Sequence, residues 1–531
     1  MPAELTEVAK LLLDCEETGP APKYVDSCKS PAPIAINSHG ATIFVISDLH
    51  LAAGRGPDGR YAGTENFFAD ASLKRFLEHA HQTSQPGQAL LIINGDFIDF
   101  LRITEGPRSD LDFLEWQTNL AKIGRKWTVD DLRNSVTARE IRYHPEPQSR
   151  MAREFMKICG VSPDGFGLKT NAFKSVWKLA AVAGGHPEFF TALADWLHKG
   201  HKLIIVKGNH DLEWYWLDVR NYLRLTLAEK LGVQTGQRIQ EELTQTVLPN
   251  VLFIDDGMLI DGHFYVEHGH RFDKYTNVQG GPVLANGDEL NIPFGSFMNR
   301  YLINFIELDY PYLDNVRPTT SILPLMVRER FPLALKLLFV HVPFMLRIIP
   351  KRYFDYMFRR VLITLAAVLI PVVAVIVLEW PIVKELIAHL SGNATPSNPL
   401  RSTLLSFASS LGGLILSYFL SRVVAYFQLE EPDSLSSNAR EEFVKNPAYR
   451  IITFGHTHNP DQTMTNGRWF FNTGTWIPIV EMSSADIRED RTYTVLRLNQ
   501  EASGLTPGGL YRWDDEAERL DEAALVRRKD G

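Results

Sequence analysis

Five short clusters in this chain carry the donor chemistry of a divalent-metal site: Asp48 and His50, Asp96 and Asp99, Asn209 and His210, His268, and His456 and His458. Carboxylate oxygen, amide oxygen and imidazole nitrogen together suit a borderline ion such as Mn, Fe or Zn. In an extended segment, residues two apart face the same way, so Asp48 and His50 reach one ion, as do His456 and His458. Asp96, in Gly95-Asp96-Phe97-Ile98-Asp99, offers two carboxylate oxygens and so can bridge a pair of ions. Asp48, His50, Asp96, Asn209, His268, His456 and His458 make seven ligands. That set serves two divalent ions that share one carboxylate and keep a position for water.

The clusters differ in specificity. A lone Asp-x-His is as readily a surface pair, and Gly-Asp-x-x-Asp alone is a turn. Gly208-Asn-His-Asp211 is stronger, because a glycine turn bearing all three polar residues has little structural purpose. Gly455-His-Thr-His458 is similarly strong. The order of the clusters, each after an apolar run, is what a surface explanation does not cover.

Those apolar runs are the elements that must position the clusters. Thr42–Ser47, Ala89–Asn94, Lys202–Lys207 and Ile451–Phe454 are β-branched or aromatic and nearly continuous, which suits a sheet buried on both faces. Helical patterns at 73–80 and 189–198, the latter stopped by Gly200, alternate with them. After Val251, Asp256-Gly257 and Asp261-Gly262 mark turns between short antiparallel strands, and Asn466-Gly467 marks another hairpin. Two sheets with helices outside are expected, an α/β fold.

At 531 residues the chain exceeds one ordinary core, and 45% hydrophobic with 22% charged residues is a globular balance. A net charge of −8 disfavours nucleic acid as a partner. Three scattered cysteines, Cys15, Cys28 and Cys159, fit a reducing compartment, and residues 1–13 lack the pattern of a signal peptide. Residues 361–378 and 402–421 carry no charge and are each long enough to cross a bilayer. They read as a two-helix membrane hairpin, with 331–349 as an interfacial helix. Lys351, Arg352, Arg359, Arg360 and Arg422 flank the outer ends of the hairpin, which places the catalytic domain on the cytoplasmic side. The expected division is a loose lead-in at 1–40, a first domain part at 41–280 with a helical insertion at about 100–186, and an insertion at 281–440. A second domain part at 441–503 and a charged tail at 504–531, expected as a fraying helix or disorder, complete it.

With these blocks in view, the sequence resembles the calcineurin-like metallophosphoesterase superfamily. The matching residues are Asp48-Leu-His50, Gly95-Asp96-Phe-Ile-Asp99, Gly208-Asn-His-Asp211, His268-Gly269 and Gly455-His-Thr-His458. The resemblance covers about 41–273 and 450–476, apart from the insertion after Phe100. It implies a four-layer αββα sandwich with a di-metal site at the strand ends. It also implies that Asp48, His50 and His458 hold one ion, Asn209, His268 and His456 the other, with Asp96 bridging. The Asp-Leu-His-Leu51 opening, Phe454–Pro460 and Asn472-Thr-Gly-Thr-Trp476 look most like the bacterial UDP-2,3-diacylglucosamine pyrophosphatase branch. That branch typically carries Arg where His210 stands here.

The implied chemistry is hydrolysis of a phosphate ester or pyrophosphate, with two ions lowering the pKa of a bridging water to supply hydroxide near neutral pH. The leaving oxygen needs a proton. His210 is the candidate acid and Asp99 the carboxylate that orients it, a purely structural histidine being the alternative. His270, Arg271 and Asp273 are not distinguished from loop polar residues. The expected protein is a membrane-attached phosphoesterase acting on a phosphate-ester substrate. The alternatives are a pyrophosphate hydrolase of lipid A precursor synthesis and a catalytically silent scaffold on the same fold.

Overall fold

A computed structural model describes residues 3–17, 33–56, 58–84, 88–137, 140, 166–309, 316–317, 332–333, 347–351, 353, 435–481, 486–487, 491–501 and 504–523. The chain divides into two compact units, Met1–Val342 with Pro432–Gly531 and Pro343–Glu431; the architecture below belongs to the first. The proposed hairpin segments lie outside the described residues, as does the interfacial helix apart from 332–333 and 347–349. Among the described residues no helix is long and apolar enough to cross a membrane.

The four apolar runs are strands. β2 (Thr42–Ile46), β3 (Ala89–Asn94) and β4 (Lys202–Val206) lie parallel and adjacent, followed by β5 (Val251–Ile254). Their side chains alternate between two cores. Phe44, Ile46, Leu91, Ile93, Leu203 and Ile205 face helices, while Ile43, Val45, Leu90, Ile92, Ile204 and Val206 face a second sheet. Each such side chain, fully buried, contributes roughly 1.5–3 kcal/mol, so neither face tolerates a polar alternation. The second sheet contains β1 (Ile34–Ile36), β6 (Gly257–Ile260), β7 (Phe264–Glu267), β9 (Ile451–Phe454), β10 (Asp461–Thr465) and β11 (Arg468–Asn472), in the order β1-β6-β7-β9-β11-β10. Met258, Ile260, Phe264, Val266, Ile451 and Phe471 fill the layer between the sheets. A small third sheet joins β8 (Val316–Arg317), β12 (Val480–Glu481) and β13 (Asp486–Ile487).

Helices cover the outer faces. On the first sheet lie α2 (Asp70–Gln82), α5 (Ala172–Gly185), α6 (Pro187–His198) and α7 (Leu217–Thr235), anchored by Phe76, Leu179, Phe189, Trp196 and Leu223 among others. The insertion adds α3 (Asp110–Lys122) and α4 (Val129–Ser135), each started by a capping box, at Ser109 and Thr128. The second sheet is covered by α9 (Ser436–Lys445), whose Ala439 and Phe443 pack on Tyr265, Ile452, Phe454 and Phe470. A helical segment at 294–309, here α8, contains a π-turn at Asn299–Ile303.

Three expectations are corrected. The lead-in contributes two elements: α1 (Ala3–Glu17) buries Val8 and Leu12, one helical turn apart, and β1 pairs in parallel with β6. The charged tail is largely sheet. β14 (Thr494–Glu501), β15 (Gly504–Asp514) and β16 (Arg519–Glu522) are antiparallel neighbours that extend the first sheet past β2, giving the order β16-β15-β14-β2-β3-β4-β5. Leu505 and Leu510 enter the core between the sheets, while Trp513 enters the helix side, an apolar set diluted by exposed charge. Finally, Asp256-Gly257 is no hairpin, because β5 and β6 belong to different sheets and the link crosses between them. The turns at Asp261-Gly262 and Asn466-Gly467 do join antiparallel pairs, β6–β7 and β10–β11, with positive φ at both central residues.

A buried ionic clamp fixes the loop after β2. Glu65 accepts hydrogen bonds from the backbone N–H groups of Ala52, Gly54, Asn66 and Phe67, and it lies 3.0 Å from His186 Nε2. His186 Nδ1 is 3.0 Å from Asp70. Burial opposes charge on His186, but hydrogen bonds to Asp70 and Glu65 outweigh it and push the imidazole up to about 9. A raised histidine stabilises the fold fully below its unfolded value, about 6.5, and that contribution fades as pH climbs through about 9. Denaturant melts from pH 6 to 10 should show the wild type losing a few kcal/mol that His186→Gln does not lose. Parallel curves for the two proteins would refute the clamp's charge.

Candidate metal centre

Every cluster sits at the carboxyl end of a strand. Asp48 and His50 follow β2, Asp96 and Asp99 follow β3, and Asn209 and His210 follow β4 of the first sheet. His268 follows β7, and His456 with His458 follows β9, parallel neighbours in the second sheet. The two sheets therefore deliver their loops to one place, the usual ligand crevice of parallel strands.

Backbone conformation does the aiming. Among the described residues, ten non-glycine residues have positive φ, and five are candidate ligands: Asp48 (54°), His50 (51°), Asp96 (50°), His456 (70°) and His458 (59°). The expectation that Asp48 and His50 converge from an extended segment is thus wrong. Each turns through the left-handed region, a conformation that Asp and His adopt at some cost. Hydrogen bonds hold these turns: His50 N–H donates to Asp96 O, and Asp48 Oδ2 accepts from His456 N–H at 3.1 Å. The Thr475 hydroxyl donates to Asp48 O at 2.7 Å, and Asn472 Nδ2 donates to Gly455 O and Thr457 Oγ1. Gly95 has φ of 82°, and a Cβ there would collide with the His268 ring. At Gly208 a Cβ would collide with Asp96.

Three groups bring their ligand atoms together: Asp48, His50 and His458; Asp96, His268 and His456; and His50, Asp99 and His210. In the first, His458 Nε2 lies 3.3 Å from Asp48 Oδ1 and 3.1 Å from His50 Nε2. His50 Nδ1 is 3.0 Å from Asp99, so its proton sits there and the Nε2 lone pair points inward. In the second, His268 Nδ1 donates to Asn94 O at 2.8 Å, leaving a buried Nε2 lone pair 3.1 Å from Asp96 Oδ2. Two lone pairs held that close, in a buried place, require a cation between them. Burial would lower His268, but the Asp96 carboxylate pushes it up to about 10. Burial would likewise raise Asp96, but the charges of His268 and His210 hold it well below the usual carboxylate range. Asn209 Oδ1 is buried and has no hydrogen-bond donor among the described residues, a deficit worth roughly 1–3 kcal/mol that a cation would remove. The donor set therefore fits a divalent ion in each of the first two groups.

The third group is organised by one oxygen. Asp99 Oδ2 lies 2.9 Å from His210 Nδ1, 3.0 Å from His50 Nδ1 and 3.1 Å from Arg102 Nε. Burial would raise Asp99, but His210, His50 and Arg102 together hold it well below the carboxylate range. The His210 side chain is 15% exposed against 0% for Asp99, and its backbone N–H donates to Asp96 Oδ1 at 2.8 Å.

Several contributors escaped the sequence reading. Asp273 Oδ2 and Thr276 Oγ1 lie 3.3 and 3.2 Å from His456 Nε2, so a residue set aside as a loop polar group orients a ligand. Asp211 accepts from the N–H groups of Gly208 and Phe97, tying the third cluster to the second. Arg271 pairs with Glu267 and Glu442, away from the ligands. The acidic residue of the third block was visible as Gly-Asn-His-Asp; nothing local announced Asp273 or Thr276. No family model matches the chain, and no curated protein matches it significantly.

Proposed function

We propose that this chain is a metal-dependent phosphoesterase of the calcineurin-like kind, on a four-layer αββα sandwich, attached to the membrane by an inserted two-helix hairpin. One observation supports it most: buried imidazoles of His50 and His268 converge on buried Asp48 and Asp96 at the ends of two sheets. Asp48, His50 and His458 would hold one divalent ion, Asn209, His268 and His456 a second, with Asp96 shared. Such ions, when bound, make water a nucleophile near neutral pH and neutralise phosphoryl oxygens. The protein's own groups do the rest. Asn94 fixes the tautomer of His268, Asp273 orients His456, and Asp99 holds His210 through Nδ1, so that Nε2 gives its proton to the departing oxygen. A full ligand set argues against a silent scaffold.

The test is metal analysis with a hydrolysis panel of phosphomonoesters, phosphodiesters and nucleotide-sugar lipid pyrophosphates. About two divalent ions per chain and chelator-sensitive turnover on one class are expected. Protein carrying both ions yet inert on all three would make it a scaffold, while turnover confined to the last would make it a lipid-precursor pyrophosphatase. His210, standing where that branch typically has Arg, favours the first two classes.

Membrane attachment is supported by the two charge-free segments, and connectivity sets their number. His268 and His456 flank those segments and share one group, so any bilayer crossings between them must be even in number. Cysteine at Ser391, in the connecting loop, should react with an impermeant thiol reagent outside cells, and cysteine at Ser436 should not. Labelling at Ser436 in intact cells would overturn this topology.

A further inference from the structure

Helix α8 belongs to the stretch that the sequence assigns to the insertion, outside every motif block, yet it lies across two of the site's turns. The Ser296 hydroxyl donates to Asn209 O at 3.1 Å, and Asn304 Nδ2 donates to Leu101 O at 2.7 Å. Its Glu307 carboxylate, 1% exposed, grips both terminal nitrogens of Arg102, itself 2% exposed. The remaining edge of that guanidinium gives Nε to Asp99 Oδ2. A planar fork held on one edge by a bidentate carboxylate is fixed in orientation on the other.

We propose that Glu307 is a positioning residue for the metal centre, acting through Arg102 to fix the Asp99 carboxylate that orients both His50 and His210. The proposal rests on the metal-centre reading above, and it makes the insertion a part of the site instead of an appendage. Without Glu307, the Arg102 guanidinium loses the carboxylate that fixes its far edge, and its hold on Asp99 shifts. His50 then loses its orientation toward the ion and His210 toward the leaving oxygen. Partners that orient a ligating histidine typically change metal affinity 10–100-fold.

The experiment titrates Mn²⁺ into the metal-stripped full chain by calorimetry, then compares kcat and KM on an aryl and an alkyl phosphate. Glu307→Gln should bind one ion at least about 10-fold more weakly. Its kcat should fall with KM kept, more on the alkyl ester. Leu302→Ala, which loosens the same helix without removing a charge or a side-chain hydrogen bond, should bind Mn²⁺ like the wild type. Arg102→Met with Glu307→Met removes both buried charges, so it keeps the fold if the single change does not, and it should show the same weakened ion. Wild-type Mn²⁺ affinity in Glu307→Gln and in the double variant, or an equal loss in Leu302→Ala, would overturn the proposal. A wild type that binds two ions and hydrolyses nothing would refute the phosphoesterase reading while leaving the affinity comparison intact.

Discussion

Asp96→Asn should strip the centre of metal and lower turnover by at least about 10³-fold, the loss of several kcal/mol of charge stabilisation. The substitution keeps an oxygen for the His210 N–H while removing the charge that faces His268, so the fold should survive. Asp48 is a candidate ligand only in the group with His50 and His458, so Asp48→Asn should cost one ion and less activity. Metal content after gel filtration, compared among the three proteins, checks the order. Equal content in wild type and the Asp96 variant would remove Asp96 from its bridging place.

His210→Ala should retain both ions and lose turnover by roughly 10²–10⁴-fold on substrates with poor leaving groups. Its imidazole is the most exposed member of the group around Asp99, so its removal leaves the ligand turns packed. On an activated aryl ester the departing oxygen needs no proton, and the deficit should shrink. A deficit that ignores leaving-group pKa would mean that His210 places phosphate or structure instead of donating a proton. The measurement is a series of aryl and alkyl esters with one readout, kcat.

The parts of this molecule that were legible in the sequence are those where many residues repeat one signal. β2, β3, β4 and β9 are unbroken apolar runs because both faces of each are buried, and each run ends in a polar block. What escaped depends on single distant contacts. Leu505, Leu510 and Trp513 sit among glycines and charges, and only pairing with β14 makes them a strand. Val8 and Leu12 are two apolar positions in a segment followed by prolines. Asp273 and Glu307 meet their partners, His456 and Arg102, across 183 and 205 residues, which no local pattern encodes. The left-handed turns at Asp48 and His50 were equally hidden, since the same Asp-x-His spacing suits an extended chain.

The interleaving of chain ends in both sheets sets an order of assembly during synthesis. When β2 to β7 leave the ribosome, β2 has one bare edge awaiting β14, and β7 awaits β9. The 188 residues from His268 to His456 take roughly 10–40 s to translate. Through that interval the nascent chain carries an open parallel sheet and five of the seven candidate ligands, a state prone to edge-to-edge association. The charge-free segments emerge within the same interval, so with the proposed hairpin their delivery to a bilayer would precede closure of the domain. On that proposal the anchor is set before the last two candidate ligands, His456 and His458, are made.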